Sequence, residues 1–324
     1  MSLMVTPVSR LARQQAGLSL IEVMISLTIG TVITLAVLIV MSANSRNLRL
    51  NEGLSESQEN ARMAFELMAR DVRQARDTSC GPVTTTSLGA GHWYDDVWEP
   101  VRGFDGSTST TAKVTGTGVG ERVNGTEAIQ LLGTSDTLLI KGFADANFTL
   151  QLMTSATPLG TANGLVIVCD LTRASLHEVD SASGTDLKLQ QDVDISDVDN
   201  PQFQVARFTA VTWYIGNNGR AEEGGRSLYR VRVNGAGTPL TEEILPGVVD
   251  MTVRYHSVGG TDFDGASAVA DWDVVNAIEL TLVTETTQTH IATEAAAAVA
   301  GMSGSDGRLR RTLTQVIALR GAEL

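Results

Sequence analysis

The chain has 324 residues, of which 43% are hydrophobic and 19% charged, a composition that excludes a disordered protein. Its net charge of −13 lies in residues 81–324, which contain 30 acidic and 16 basic side chains. Such an acidic segment repels a phosphate backbone, so we expect no direct nucleic-acid binding, in spite of the local basic group Arg308, Arg310 and Arg311.

Residues 18–43 form an apolar run in which Glu22 is the only charged residue. As a helix the run is about 39 Å long, enough to cross a hydrocarbon core of about 30 Å. Arg10 and Arg13 precede it, and basic flanks stay cytoplasmic, so the chain after Ala43 is predicted to lie across the membrane. The run is longer than the apolar part of a secretory signal, which spans about 7–15 residues. A plain membrane anchor leaves Glu22 unexplained.

The helix is predicted to continue past the membrane to Cys80, because no proline occurs between Leu18 and Cys80. Apolar residues in its second half recur at helical spacing and form one stripe: Leu50, Leu54, Ala61, Phe65, Met68, Val72 and Ala75. The stripe requires a partner surface, which is either a coiled-coil stalk or the chain's own C-terminal domain. We favour the domain, because the stripe leads directly into it.

Residues 81–324 are predicted to form one β-rich domain. Alternating apolar residues predict strands within 251–255 and 277–282, and a continuous apolar run predicts a buried strand within 164–170. The segments 208–215 and 227–233 flank the loop 216–226 and are predicted to form a hairpin. Loops are predicted at 83–127 and 181–201, and either a short helix or a mobile loop at 292–302. The aromatic cluster Trp93, Tyr94 and Trp98 is interpreted as a core anchor for its loop, with a subunit-contact patch as the alternative.

The two cysteines, Cys80 and Cys169, are too few for a disulfide scaffold or a structural zinc site. If the domain is exported, we expect one disulfide between them; two buried free thiols are the alternative. Aspartates cluster at 192–200 and 262–265 without EF-hand spacing, so we interpret both clusters as solvated loops rather than calcium sites. The four histidines are scattered and no hydrolase, metalloprotease or nucleotide-binding motif occurs, so we expect no catalytic residue, metal or cofactor.

The segment GLSLIEVMISLTIG, residues 17–30, resembles the processing motif of type IV pilins and type II secretion pseudopilins. Later segments resemble the minor pilins of the PilW family in order along the chain, so the resemblance covers most of it: 67–82, 101–106, 133–143, 214–219, 227–235, 245–258 and 309–321. Two positions depart from the pattern. Leu18 replaces the usual phenylalanine, and Ile39 stands where many major pilins have a helix-kinking proline.

The resemblance implies an α+β, pilin-like fold in which a long N-terminal helix packs on an antiparallel β-rich domain. Residues 1–17 are then a leader peptide, 18–80 the long helix (18–43 transmembrane, 44–80 amphipathic) and 81–324 the globular domain. It also implies cleavage between Gly17 and Leu18, N-methylation of Leu18, and an assembly role for Glu22. In the family, this glutamate pairs with the mature N-terminus of a neighbouring subunit.

The implied function is structural rather than enzymatic. A minor pilin helps to prime type IV pilus assembly and sits in or at the tip of the filament, supporting twitching motility, adhesion or DNA uptake. The implied partners are other minor pilins, the major pilin, prepilin peptidase, the inner-membrane assembly machinery and inner-membrane lipid. The implied location is the inner membrane, single-pass with a cytoplasmic N-terminus and a periplasmic domain, and then the extracellular pilus. The alternatives are a type II secretion minor pseudopilin and, less favoured, a membrane-anchored periplasmic binding protein or enzyme.

Overall fold

The computed structural model describes residues 19–75, 93–94, 99–108, 110, 112–144, 148–169, 174–191, 193, 203–287, 289 and 307–319. Its elements are the helix α1 (Leu20–Gln74) and the strands β1 (Val101–Phe104), β2 (Ala128–Ala144), β3 (Thr149–Leu152), β4 (Leu165–Cys169), β5 (Ala174–Ser183), β6 (Asp186–Leu189), β7 (Gln204–Asn217), β8 (Arg226–Val233), β9 (Pro239–Pro246), β10 (Val248–Ser257), β11 (Val275–Glu285) and β12 (Arg310–Ala318).

The chain divides into two compact units, Met1–Asn51 and Glu52–Leu324. Helix α1 begins in the first unit and ends in the second, and it continues through Ile39 without a break. It ends at Gln74 rather than at the predicted Cys80, because Ala75 already pairs with Gly133 of β2 as a β-bridge. Residues 76–80 lie outside the described part of the chain.

Nine strands form one antiparallel sheet, and six of them close into a ring. Strand β2 pairs with β7 along its first part and with β3 along its second. Strands β3, β6, β5 and β4 follow in order, and β4 pairs with β7, which closes a ring of six strands. The ring encloses its own apolar core, which includes Ile140, Leu150, Leu159, Val166 and Val205. Closure gives each of these strands a neighbour on both sides.

The second half of α1 packs on the β domain, as the apolar stripe predicts. Its residues Phe65, Met68 and Val72 share one core with Trp213 of β7 and Leu280 of β11. The three-stranded antiparallel sheet β10–β11–β12 supplies the remaining wall of this core. The α+β, pilin-like fold class is therefore confirmed, and the stripe docks on the chain's own domain rather than forming a coiled-coil stalk.

The strands predicted from alternation are present as β10 and β11, the predicted hairpin is formed by β7 and β8, and the buried segment forms β4, whose five residues are all buried. The two loop predictions were wrong in part. Strand β1 lies within 83–127, where it pairs with β2, and β6 lies within 181–201, where it pairs with β3 and β5. Each has four residues, too few to leave a pattern in the sequence. Trp93 and Tyr94 are buried, and Tyr94 packs edge-on against Phe208 at 5.8 Å, as expected of a core anchor. Trp98 and the segment 292–302 lie outside the described residues.

Candidate functional site

The first half of α1 presents apolar side chains to its surroundings on every face. Leu20, Ile29 and Val40, for example, are 78%, 54% and 67% exposed. Among the described residues this helix is the one long and apolar enough to cross a membrane, by length and composition alone. A helix that is apolar all round is stable only in lipid or among other apolar helices.

Glu22 lies in the first turn of α1, where its backbone N–H donates to the Ser19 carbonyl at 2.9 Å. A carboxylate there is favoured by the positive end of the helix dipole. No basic side chain among the described residues pairs with it, and the other residues of the apolar segment carry no charge. Gly17 and Leu18, the predicted processing residues, lie outside the part of the chain that the structure describes.

The polar side chains of the apolar segment are satisfied within the helix. Each hydroxyl between Leu20 and Met41 donates to a carbonyl three or four residues earlier, at 2.7–2.8 Å, in the residues Ser26, Thr28, Thr31 and Thr34. Back-bonding of this kind removes free donors that lipid cannot satisfy. Glu22 is therefore the one polar side chain of the segment that still lacks a partner within the described residues.

The C-terminal end of α1 is joined to the sheet by a polar contact. Asp71 accepts a hydrogen bond from the indole Nε1 of Trp213 at 3.0 Å, and the Arg230 guanidinium lies 3.8 Å from the same carboxylate oxygen. Arg230 also lies over the Trp213 ring at 5.4 Å, a cation–π arrangement. Burial raises the pKa of the Asp71 carboxyl, and Arg230 and Trp213 offset only part of that rise.

A second carboxylate, Glu242 of β9, holds the arginines of β8 in place. Arg232 binds it with two hydrogen bonds of 2.9 and 3.0 Å, and Arg230 donates to it at 2.9 Å. The hydrogen bonds from Arg232, assisted by Arg230, hold the pKa of Glu242 at about 2. A sequence signal for this cluster exists in the register of the hairpin, because pairing β8 with β9 places Arg230 opposite Glu242.

The middle of α1 is bonded to the smaller sheet. The hydroxyls of Ser57 and Thr284 lie 2.7 Å apart in the buried interface, and the Thr287 hydroxyl donates to Glu56 at 3.2 Å. Both contacts join the helix to β11 and the residues that follow it. Together with the contacts of Asp71, they bind the helix from Glu52 onwards to the domain along its length.

Two of the three arginines at the start of β12, Arg308 and Arg310, bind one carboxylate of the fold. Arg308 is 1% exposed, lies 3.4 Å from the Glu285 carboxylate and donates to the Thr287 carbonyl at 2.9 Å. Arg310 binds the other oxygen of Glu285 at 2.6 Å. These arginines therefore neutralise one buried carboxylate.

Cys169 is disulfide-bonded, and Cys80, the other cysteine of the sequence, lies outside the described residues. The pair Cys80–Cys169 stays a prediction. The described residues contain no group of three or more metal-ligating side chains, and most of the acidic cluster 192–200 falls outside them. His177 and His256 lie in separate strands, β5 and β10, while His92 and His290 fall outside the described residues.

Comparison with known proteins gives one match. The model of the prokaryotic N-terminal methylation motif matches residues 12–38, the stretch that contains Gly17, Leu18 and Glu22. No curated protein and no solved structure matches the chain. The motif supports a type IV pilin-like or type II pseudopilin-like subunit, and it implies processing by prepilin peptidase and assembly with the pilus machinery and other pilins.

Proposed function

We propose that this chain, which carries the prepilin-type methylation motif, is a PilW-like minor pilin of a type IV pilus. The observation that carries the proposal is Glu22, the single charge in an exposed apolar helix and five residues after Gly17. A charged side chain costs up to about 3 kcal/mol at the bilayer centre. In a plain membrane anchor nothing offsets the cost of this charge. In a subunit that moves from lipid into a helix bundle, the charge binds a specific group on a neighbouring subunit.

The mechanism begins with cleavage between Gly17 and Leu18, since glycine leaves the backbone open to a protease at the membrane face. The new amine of Leu18 is cationic and is methylated, and Leu18 comes four positions before Glu22 in the sequence, the spacing of two residues on one face of a helix. In the filament, Glu22 binds the N-terminal amine of a neighbouring subunit and so sets the axial register. The apolar side chains of Leu20–Met41 then pack on other helices instead of on lipid.

The β domain is the part that contacts neighbouring subunits outside the helix bundle. The domain is bonded to α1 from Glu52 onwards, for example by the hydrogen bond from Trp213 to Asp71. This docking supports the proposal, because the packing position of the helix then also fixes the position of the domain. With other minor pilins it primes assembly at the filament tip before the major pilin adds. The protein has no catalytic role and supports twitching motility, adhesion or DNA uptake. It moves from the inner membrane, where the domain is periplasmic, into the pilus.

A type II secretion minor pseudopilin carries the same N-terminal motif and is the second candidate. The PilW-like segments along the β domain favour the pilus. Deletion of the chain separates the two: loss of twitching with normal protein secretion supports the pilin, and the reverse result supports the pseudopilin. A periplasmic enzyme on a membrane anchor predicts that neither process changes.

The test of processing is the intact mass of the protein isolated from piliated cells. We expect a chain that begins at N-methylated Leu18, and a chain that retains residues 1–17 in cells lacking prepilin peptidase. The variant Gly17→Val is the matched control, because a β-branched side chain at the cleavage site blocks processing without altering the mature chain. A protein that begins at Met1 in piliated cells contradicts the proposal.

A further inference from the structure

A cavity of about 310 Å³ lies at the C-terminal end of α1, where the helix meets the strands β2, β7 and β8. All residues that line it belong to the compact unit Glu52–Leu324. Gly133 of β2 shapes one wall, because a Cβ at this position would overlap with the Gln74 carbonyl, and the helix end therefore comes close to the sheet. The volume is that of a site for one small ligand or one side chain.

Positive charge predominates in the lining of this cavity. The charged side chains that line it are four arginines and one aspartate: Arg70, Arg207, Arg230, Arg232 and Asp71. The lining therefore has a formal charge of +3, from four positive groups and one negative group, in a chain whose net charge is −13. A concave surface with such a local excess of positive charge concentrates anions.

Three of the four guanidinium groups are held by carboxylates that lie outside the lining. Glu242 accepts hydrogen bonds of 2.9 and 3.0 Å from Arg232, and Arg230 donates to it at 2.9 Å. Asp136 lies 3.0 Å from Arg207. With both carboxylates counted, the group of side chains keeps a net positive charge. Because the arginines are fixed before a ligand arrives, binding costs less conformational entropy.

The arginines of the lining also keep hydrogen-bond donors for a ligand. The Arg207 Nε is buried and has no acceptor among the described residues. Arg232 binds Glu242 through Nε and Nη2, and since a guanidinium has five N–H donors, its Nη1 is not used by that carboxylate. Arg70 is exposed, so its guanidinium is accessible to a ligand from solvent. The cavity therefore combines positive charge with donors from separate elements.

We propose that this cavity binds an oxyanion, a carboxylate or phosphate group, through the four arginines of its lining. Guanidinium groups match the oxygens of carboxylates and phosphates in both charge and geometry. Asp71 opposes such a ligand, because its carboxylate is the one negative charge of the lining. The proposal does not rest on the assignment as a pilin, since every residue that carries it belongs to the folded domain and the helix end docked on it.

The test compares the thermal midpoint of the full chain in a nonionic detergent with and without a ligand. The ligands are inorganic phosphate and N-acetylglutamate amide, a mimic of a glutamate side chain, and potassium chloride keeps the ionic strength constant. A ligand that binds the folded state raises the midpoint in a concentration-dependent way. We expect the native chain to show a saturable rise with at least one of the two ligands and none with chloride.

Variants of the lining show whether the rise originates in this cavity. Arg70→Gln and Arg207→Gln each remove one charged donor and are expected to require about tenfold more ligand for the same rise. Asp71→Asn removes the opposing charge and is expected to require less ligand than the native chain. Arg73→Gln is the matched control, because Arg73 is also an exposed arginine of the last turn of α1 but does not line the cavity.

The order of the two ligands identifies the source of the oxyanion. Tighter binding of phosphate indicates a free ion, and tighter binding of N-acetylglutamate amide indicates an acidic side chain of another protein. Phosphate also stabilises many proteins by exclusion from their surface. A rise that is equal in the native chain, Arg70→Gln and Arg207→Gln is such a general effect and overturns the proposal. The absence of a rise with both ligands, an equal loss in Arg73→Gln, or weaker binding by Asp71→Asn also overturns it.

Discussion

The indole of Trp213 donates a 3.0 Å hydrogen bond to the carboxylate of Asp71, although the two residues lie 142 positions apart in the sequence. This contact joins the last turn of α1 to the central strand β7. The burial of Asp71 raises its pKa, so the contact is costly when the carboxylate is charged. The first prediction follows from comparing the free-energy cost of the buried charge with the stabilisation by the hydrogen bond.

Replacing Asp71 by asparagine is expected to preserve stability, while replacing it by leucine is expected to reduce it. A carboxyl whose pKa is raised in the folded state stabilises the fold below its unfolded pKa of about 3.9, and that contribution is lost as the pH rises through the folded pKa. At pH 7, Asp71→Asn removes the charge and keeps an acceptor for Trp213. Asp71→Leu leaves the indole N–H unpaired, which lowers the free energy of unfolding by about 1–3 kcal/mol.

Denaturant unfolding of the full chain in detergent, followed by circular dichroism, measures both variants. The control is Trp213→Phe, in which the indole N–H is absent. In the Trp213→Phe background, Asp71→Leu is expected to lower the free energy of unfolding by less than it does in the native chain. An equal cost in both backgrounds would show that the hydrogen bond does not hold the helix end.

The second prediction concerns acid stability. Arg232 and Arg230 hold the pKa of Glu242 at about 2, below its ordinary value of 4.5. A carboxyl with a lowered pKa stabilises the fold above its unfolded pKa, and the stabilisation is lost as the pH falls through the folded pKa. The thermal midpoint of the native chain therefore decreases between about pH 4.5 and pH 2, and Glu242→Gln reduces that decrease.

The matched variant Glu52→Gln changes an exposed glutamate of α1 and is expected to leave the pH profile as in the native chain. Thermal unfolding at closely spaced pH values gives both profiles. A Glu242→Gln profile that coincides with the native one would mean that the ion pairs with Arg230 and Arg232 do not form in solution.

The third prediction concerns the close approach of Gly103 to Tyr255. A methyl group at Gly103 overlaps with the tyrosine ring, which is buried and packs edge-on against Trp272 at 4.9 Å. Gly103→Ala is expected to lower the free energy of unfolding by about 1–3 kcal/mol through overpacking. Gly142→Ala is the control, since its methyl group has one neighbour, Gln151, at 3.9 Å. Equal stability of the two variants would contradict the described packing.

The fourth prediction is the disulfide between Cys80 and Cys169. Peptide mapping without reduction is expected to find the two cysteines in one cross-linked fragment. Cys80→Ser and Cys169→Ser should then lower stability by a similar amount, about 2–5 kcal/mol. Alkylation of both thiols in the denatured, unreduced protein would instead support two free cysteines.

The spacing of apolar residues predicted those helices and strands whose pattern lies within their own sequence. The apolar run and the stripe Phe65, Met68 and Val72 predicted α1 and its docked face, because helical spacing is a property of neighbouring residues. Alternation predicted β10 and β11 for the same reason, and the loop 216–226 between two apolar segments predicted the hairpin of β7 and β8. Glu22, the proposed assembly residue, stood out because a charge in an apolar run is rare.

Features that depend on distant partners were not predicted. The strands β1 and β6 have four residues each, too few for a pattern, and they exist because β2, β3 and β5 offer them edges. Arg308 appeared as part of a basic patch in the sequence, but it is buried and bonded to Glu285 and to distant carbonyls. Closure of the ring depends on β2 passing from β7 to β3, which no local pattern records.

The central claim is that Glu22 selects a neighbour during assembly. The most direct measurement is the amount of this chain in sheared filaments, relative to the amount in the membrane, for the native chain, Glu22→Gln and Glu52→Gln. Glutamine preserves the size of the side chain and removes the charge that we propose binds an N-terminal amine. The account predicts that Glu22→Gln stays in the membrane, while Glu52→Gln enters filaments as the native chain does. Equal incorporation of all three would contradict it.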